Sequence, residues 1–322
     1  MNQAPMGFKI SPFLQEHMCR SGSKLTFEEA ADELSRLLRL DINAKQVERL
    51  CHCYGEKLDE IDWREAYSDA VQLKMDYPQG APVYFMVDGS MVLTREEKWK
   101  EVKLGRIFSG SANVKEISKG RGIVAESFYC AHLGQADEFW ERFSTEIPYN
   151  RKLVSIGDGA LWIWNYITTH YPGCIQILDY YHCKEHVFEF ANKYFGQSAK
   201  EAKQFVDEVM DCFINKKVKE GIEKIRQLQA KGEQLKKQKS LIKYLTNNEK
   251  RIDYGCFLEN GYLIGSGAIE AAHRNIIQKR LKLSGQRWTK KGAQQVVNLR
   301  VCEKSNQWDE VVKLIKNRKL AA

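Results

Sequence analysis

The chain predicts an α/β protein: a mixed sheet with strand order 3-2-1-4-5, an all-α insertion and an N-terminal helical domain. Three observations carry that expectation. Three strand-like stretches follow one another between residues 83 and 132, and helices then alternate with two more strands. Consecutive strands pair antiparallel, whereas strands separated by a helix run parallel, so this order makes a sheet with one half of each kind. Residues 196–250 are rich in Lys, Glu and Gln and carry a stripe of Phe205, Val209, Phe213, Ile222 and Ile225 at helical spacing. Before residue 80 the pattern is helical throughout.

Taken in order, residues 1–25 read as irregular. Thr26 and Glu29 form a capping box, and Phe27, Ala30, Ala31, Leu34, Leu37 and Leu38 follow a helical period. A second helix runs over 44–58 with Val47, Leu50 and Tyr54 inward. The pair fits a helix-turn-helix DNA reader or a plain helical hairpin equally well, because the second helix carries only Lys45, Arg49 and Lys57 as bases. A further helix over about 61–75 leads to a linker at 78–82. Strands are expected over 83–89, 99–108, 127–132, 152–160 and 175–179, with helices over 137–143 and 161–170 and another starting near Tyr180. Trp99 is expected to cover the sheet, and at least one of Trp162 and Trp164 to be core. The order is that of a ribonuclease H-like fold. It divides the chain into a helical domain (1–80), the first part of the core (81–195), the insertion (196–260), a glutamate-bearing helix with a basic segment (261–303) and a tail (304–322).

Composition narrows the class. A chain of 322 residues, 43% hydrophobic, buries one large core or two to three small ones. Net charge is +8, which points to a polyanionic partner. The nine cysteines include no C-x-x-C pair, and Cys51-His52-Cys53 is too tight for a zinc knuckle. With no signal peptide and no bilayer-length apolar run, the expectation is a cytoplasmic protein with reduced thiols and no membrane partner.

Chemistry concentrates at three acids. Asp88 and Asp158 end strands beside a glycine, and Glu270 follows Gly265-Ser266-Gly267 at the head of a helix. Hard oxygen ligands of this kind suit magnesium, and two-metal phosphoryl chemistry needs ions about 3.5–4 Å apart. Asp179 also ends a strand. The fourth strand lies beside the first and the fifth one further out, roughly 10 Å away at about 4.8 Å per strand, which favours Asp158. Asp179, His182, Cys183 and His186 fit either a zinc site or a hydrogen-bonded strand-to-helix turn. No acid occurs from Ala271 to Cys302, whereas Arg274, Lys279, Arg280, Lys282, Arg287, Lys290, Lys291 and Arg300 do. Glu270 is therefore a metal ligand ahead of a phosphate-binding face, or simply a capped surface helix. Trp288 among bases is placed to stack on an unpaired base or to anchor the turn.

Together, Asp88-Gly89, 99–103, Gly157-Asp158-Gly159-Ala160 with Trp162 and Trp164, Asp179-Tyr180-Tyr181-His182, Gly265-Ser266-Gly267 with Glu270, and Ser284-Gly285-Gln286-Arg287-Trp288 resemble bacterial insertion-sequence DDE transposases of the ISKra group, with a Mutator-like pattern. The resemblance covers roughly 80–303. It implies a ribonuclease H-like catalytic domain with Asp88, Asp158 and Glu270 holding two Mg2+ ions (Mn2+ as the substitute), and cutting and joining of DNA. It also implies element ends and target DNA as partners, a homo-oligomer on DNA, and nucleoid association in a bacterial cytoplasm. The rival expectations are an inactive or domesticated DNA-binding protein and a nuclease without joining activity.

Overall fold

The computed structural model describes residues 10–60, 80–110, 114–118, 121–124, 126–197 and 199–317. The helix expected over about 61–75, with Pro78 and Gln79, lies outside them. The first described element corrects an expectation: α1 spans Pro12–Lys24, where the sequence read as irregular. Ser11 caps it by accepting from the Leu14 N–H, and Pro12 at its first position has no N–H to leave unpaired. The Ser-Gly-Ser run that resembles a loop is a packing face. A Cβ on Gly22 would stand 2.6 Å from Val47 Cγ1.

α2 (Phe27–Leu38) begins in the expected capping box, with Thr26 and Glu29 each accepting from the other's backbone N–H. Arg39 in the left-handed region turns the chain into α3 (Ala44–Glu60). Val47, Leu50 and Tyr54 are fully buried, as expected. Their core continues through Leu299, Cys302, Trp308 and Val311 of the last two helices. α3 is thus built into a core, which leaves Lys45, Gln46 and Arg49 of its first half exposed.

The main sheet has the order β5-β2-β1-β6-β7, the 3-2-1-4-5 pattern read from sequence. Its strands are β1 (Val83–Thr94), β2 (Lys98–Ser109), β5 (Phe128–Leu133), β6 (Leu153–Gly157) and β7 (Ile175–Leu178). A small hairpin, β3 (Val114–Ser118) with β4 (Arg121–Val124), is additional; its polar sequence gives little apolar alternation. β2 pairs antiparallel with β5, and β6 pairs parallel with both β1 and β7. Trp99 is 60% exposed, which corrects the expectation that it covers the sheet, whereas Trp164 is core. α4 (Ala136–Phe143) and α5 (Leu161–His170) connect the strands, and α6 (Tyr180–Phe195) follows β7.

The chain forms two compact units. One comprises 1–81, 87–148 and 269–322, and the other 82–86 and 149–268. The second unit contains the insertion, with α7 (Lys200–Ile214), α8 (Val218–Gln227), α9 (Gly232–Asn247) and α10 (Tyr254–Glu259). Val209, Phe213, Ile222 and Ile225 are buried, as the stripe requires. The first unit ends with α11 (Gly267–Ala272, which starts just before the unit boundary), a π-helical segment His273–Gln278, a last turn Lys279–Leu281, α12 (Lys290–Lys304) and α13 (Trp308–Asn317). Among the described residues no helix is long and apolar enough to cross a membrane.

Candidate active site

In the first unit, Asp88 does not end its strand. β1 continues six residues past it to Thr94 and turns back at once into β2, while burial drops at Asp88, Gly89 and Ser90. The carboxylate is about one-third exposed, and its Oδ1 accepts from the Gly89 N–H at 2.7 Å. A Cβ at Gly89 would meet Glu101 Oε1 at 2.1 Å, so any larger residue there would have to push the Glu101 side chain aside. Glu101 in turn holds the buried Lys103 at 2.7 Å.

The sequence did not single out His273. It is 3% exposed, and its Nε2 stands 3.5 Å from Asp88 Oδ2. That is within ion-pair reach of the carboxylate but outside hydrogen-bond geometry. Burial outweighs the hydrogen bond to the Asp88 backbone and brings its pKa down to about 4, so the ring is neutral at physiological pH. Glu270 lies three residues earlier in the first turn of α11. Spacing of i, i+3 puts Glu270 and His273 on one helix face, their Cβ atoms about 5–6 Å apart. His273 also opens the π-helical segment, a distortion found frequently at functional sites. The signal available in the sequence was Glu270-x-x-His273 itself.

In the second unit, Asp158 follows β6 as expected. Its Oδ1 accepts from the Ala160 N–H at 3.0 Å, closing a local turn around Gly159 at φ +98°. Tyr244 of α9 donates its hydroxyl to the Asp158 carbonyl at 3.3 Å. The insertion therefore braces this turn. A cleft of about 650 Å³ opens beside it, with Lys243 and Arg251 among its walls.

Asp179 has a different role. It is 1% exposed, its Oδ1 accepts from the His182 N–H at 2.5 Å, and its Oδ2 accepts from the Ser266 N–H at 2.5 Å. Tyr180 N–H adds a bond to the Ile264 carbonyl at 2.9 Å. Both carboxylate oxygens are thus committed to backbone donors, which pins the strand-to-helix turn to the glycine-flanked segment ahead of Glu270. His182 and His186 face each other on α6 with Nε2 atoms 3.1 Å apart.

The basic segment is split between surface and interior. Arg274, Lys279, Lys282 and Arg287 are exposed. Lys290 pairs with Glu97, and Lys291 with Glu56. Arg280 is 1% exposed, with its guanidinium between the rings of Phe27 and Trp288 at 4.7 and 4.8 Å. Trp288 is 7% exposed, donates Nε1–H to the Leu281 carbonyl at 3.2 Å, and anchors the turn before α12. Both side chains are interior, where the sequence reading expected them on a solvent-facing basic surface. Aromatic stacking and backbone acceptors make the interior a stable place for both. Arg300 is likewise interior, donating to the carbonyls of Ser23, Asn275 and Ile276.

Among the described residues, no three His, Cys, Asp or Glu side chains group closely enough to hold a metal ion. No curated protein matches the chain. The profile of the uncharacterised protein family UPF0236 matches residues 27–317, and the chain belongs to that family.

Proposed function

We propose that the chain is a DDE transposase of the ISKra type, with a ribonuclease H-like core that cleaves and joins DNA in the presence of magnesium. The observation that carries this reading is the strand order. β6 pairs with β1 in parallel, in a register that runs from Val83 beside Leu153 to Met86 beside Ile156. Asp88 lies within β1, two residues past Met86, and Asp158 is the first residue after β6. Asp179 follows the outer strand, and backbone donors already occupy both of its oxygens.

The donor chemistry fits magnesium. Asp88, Asp158 and Glu270 offer hard oxygens at partly or fully exposed positions, and the neutral His273 adds no competing charge beside Asp88. When bound, the ions supply the positive charge needed for in-line displacement at phosphorus. The protein's own part is to hold and orient. His273 limits how the Asp88 carboxylate turns, Tyr244 braces the Asp158 turn, and the Asp179 latch fixes the entry to the Glu270 helix. Arg274, Lys279 and Lys282 hold the strand through its phosphates, so binding weakens steeply with salt.

The test uses plasmid DNA carrying the sequences that flank the gene. Asp88→Asn is expected to abolish magnesium-dependent cleavage and joining while DNA binding persists. Joined products from the variant at the wild-type level would overturn the assignment. Cleaved but never joined products from the wild type would reassign the chain as a nuclease.

A further inference from the structure

A cleft of about 710 Å³ in the first unit is unrelated to the three acids. Its volume is within the range of about 300–1,000 Å³ typical of ligand sites. Three helices begin at its walls: α2 at Thr26, α3 at Asn43 and α12 at Thr289. Each directs the positive end of its dipole there, equivalent to about half an elementary charge. Their first N–H groups are partly used by Thr26, Asn43 and Glu96, so the helix ends alone would not make a site.

A second observation comes from Arg280, which lines the same cleft. Its Nε donates to the Gly22 carbonyl at 3.1 Å, and Gln286 can accept from Nη1 at 3.0 Å. Nη2 is buried and has no hydrogen-bond partner. Among the described residues this guanidinium forms no ion pair within 4 Å, and Glu28 and Glu29 act on it only from further away. Burial brings it down only to about 10, so it stays charged at neutral pH. A buried charge without a close counter-ion is costly unless something supplies one. Arg95 and Arg287 stand exposed on the same walls. Of the acids there, Glu48 is already paired with Lys45 at 2.7 Å, and Glu28 lies in the first turn of α2. The loop carrying Arg287 is strapped to the end of β1 by bonds from Arg95 N–H to the Trp288 carbonyl and from Trp288 N–H to the Leu93 carbonyl. The backbone segments that carry Arg95 and Arg287 are therefore tied together.

We propose that this cleft binds one backbone phosphate of a nucleic-acid strand, with Arg280 as the buried counter-charge and Arg95 and Arg287 as the direct contacts. Phe27 and Trp288 are saturated by Arg280, so the site takes a phosphodiester and does not stack a base. The choice of DNA as the source of that phosphate rests on the reading above, whereas the anion chemistry does not.

The test is equilibrium binding of the full chain to a labelled single strand of roughly 20 nucleotides in EDTA, from about 50 to 200 mM salt. Arg95→Gln with Arg287→Gln is expected to weaken binding about tenfold at low salt and to lower the salt slope by about 0.7, the value for the one phosphate neutralised on a single strand. The charge-matched pair Lys304→Gln with Lys316→Gln, exposed on the last helices, is expected to change little. An equal loss in both pairs would overturn the site, because net charge would then explain it. Inorganic phosphate is titrated in parallel. If it binds at Arg95 and Arg287 while strand binding ignores them, the site takes a free anion and the nucleic-acid assignment falls. Without a metal ion no catalysis occurs, so this result stands or falls separately from the Asp88→Asn experiment. Both rim residues are exposed, so these variants fold even if Arg280→Gln does not.

Discussion

Asp179→Ala separates a structural latch from a metal ligand. The substitution removes two acceptors at once. Loss of the α6 N-cap costs about 1 kcal/mol, within a range of about 0.5–2. The Ser266 N–H, in a residue only 8% exposed, is left without this acceptor, at about 1–3 kcal/mol. Together the variant is expected to lose about 3 kcal/mol. Urea denaturation followed by circular dichroism measures the total. Hydrogen exchange of the segments 180–186 and 262–268 shows where the loss falls, and both are expected to exchange faster together because the latch joins them. Magnesium is the discriminating addition. It should shift the stability of wild type and variant equally. A loss below about 1 kcal/mol, or a magnesium stabilisation present in the wild type and absent from Asp179→Ala, would refute the latch.

Other consequences follow from burial and close approach. Burial raises the Glu146 carboxyl from its ordinary 4.5 to about 7. The folded state thus keeps a proton that the unfolded chain releases near pH 4.5, so its contribution to stability is full below pH 4.5 and is lost as pH rises to about 7. At about 1.4 kcal/mol per pH unit the ceiling is about 3 kcal/mol. Glu146→Gln is expected to flatten that part of a stability-versus-pH curve, and an unchanged slope would count against the assignment. Gly55 lies in α3, where alanine ordinarily favours a helix by about 1 kcal/mol. Here a Cβ would stand 2.1 Å from the Gln295 carbonyl oxygen, so Gly55→Ala is expected to destabilise by about 1–3 kcal/mol, seen as a lower urea midpoint.

The strand order was legible because it depends on local signals. Apolar runs at 83–87, 102–108 and 153–157 are strands whatever their partners, and the helices between the later ones force parallel pairing. The capping box at Thr26 and Glu29 and the stripe through Phe213, Ile222 and Ile225 were equally local. α1 was not legible, since its Ser21-Gly22-Ser23 run has a loop composition and becomes a helix face only because Val47 packs on it at close range.

At the candidate site the same division holds. Acid-glycine pairs at 88–89 and 158–159 and Glu270 after a glycine-flanked turn are visible in one dimension. Where each charge goes is not. Arg280, Lys282 and Trp288 belong to one basic run, yet Arg280 and Trp288 turn inward against Phe27 while Lys282 stays in solvent. His273 reads as one more residue of a helix until its burial beside Asp88 makes it neutral. The sequence by itself determined the elements, their order and the residue types available for chemistry, because propensity, periodicity and capping act over a few neighbours. Only the tertiary structure decided which of those charges face solvent and which carboxylates are consumed by backbone donors, because desolvation and hydrogen-bond partners come from segments far apart in the chain.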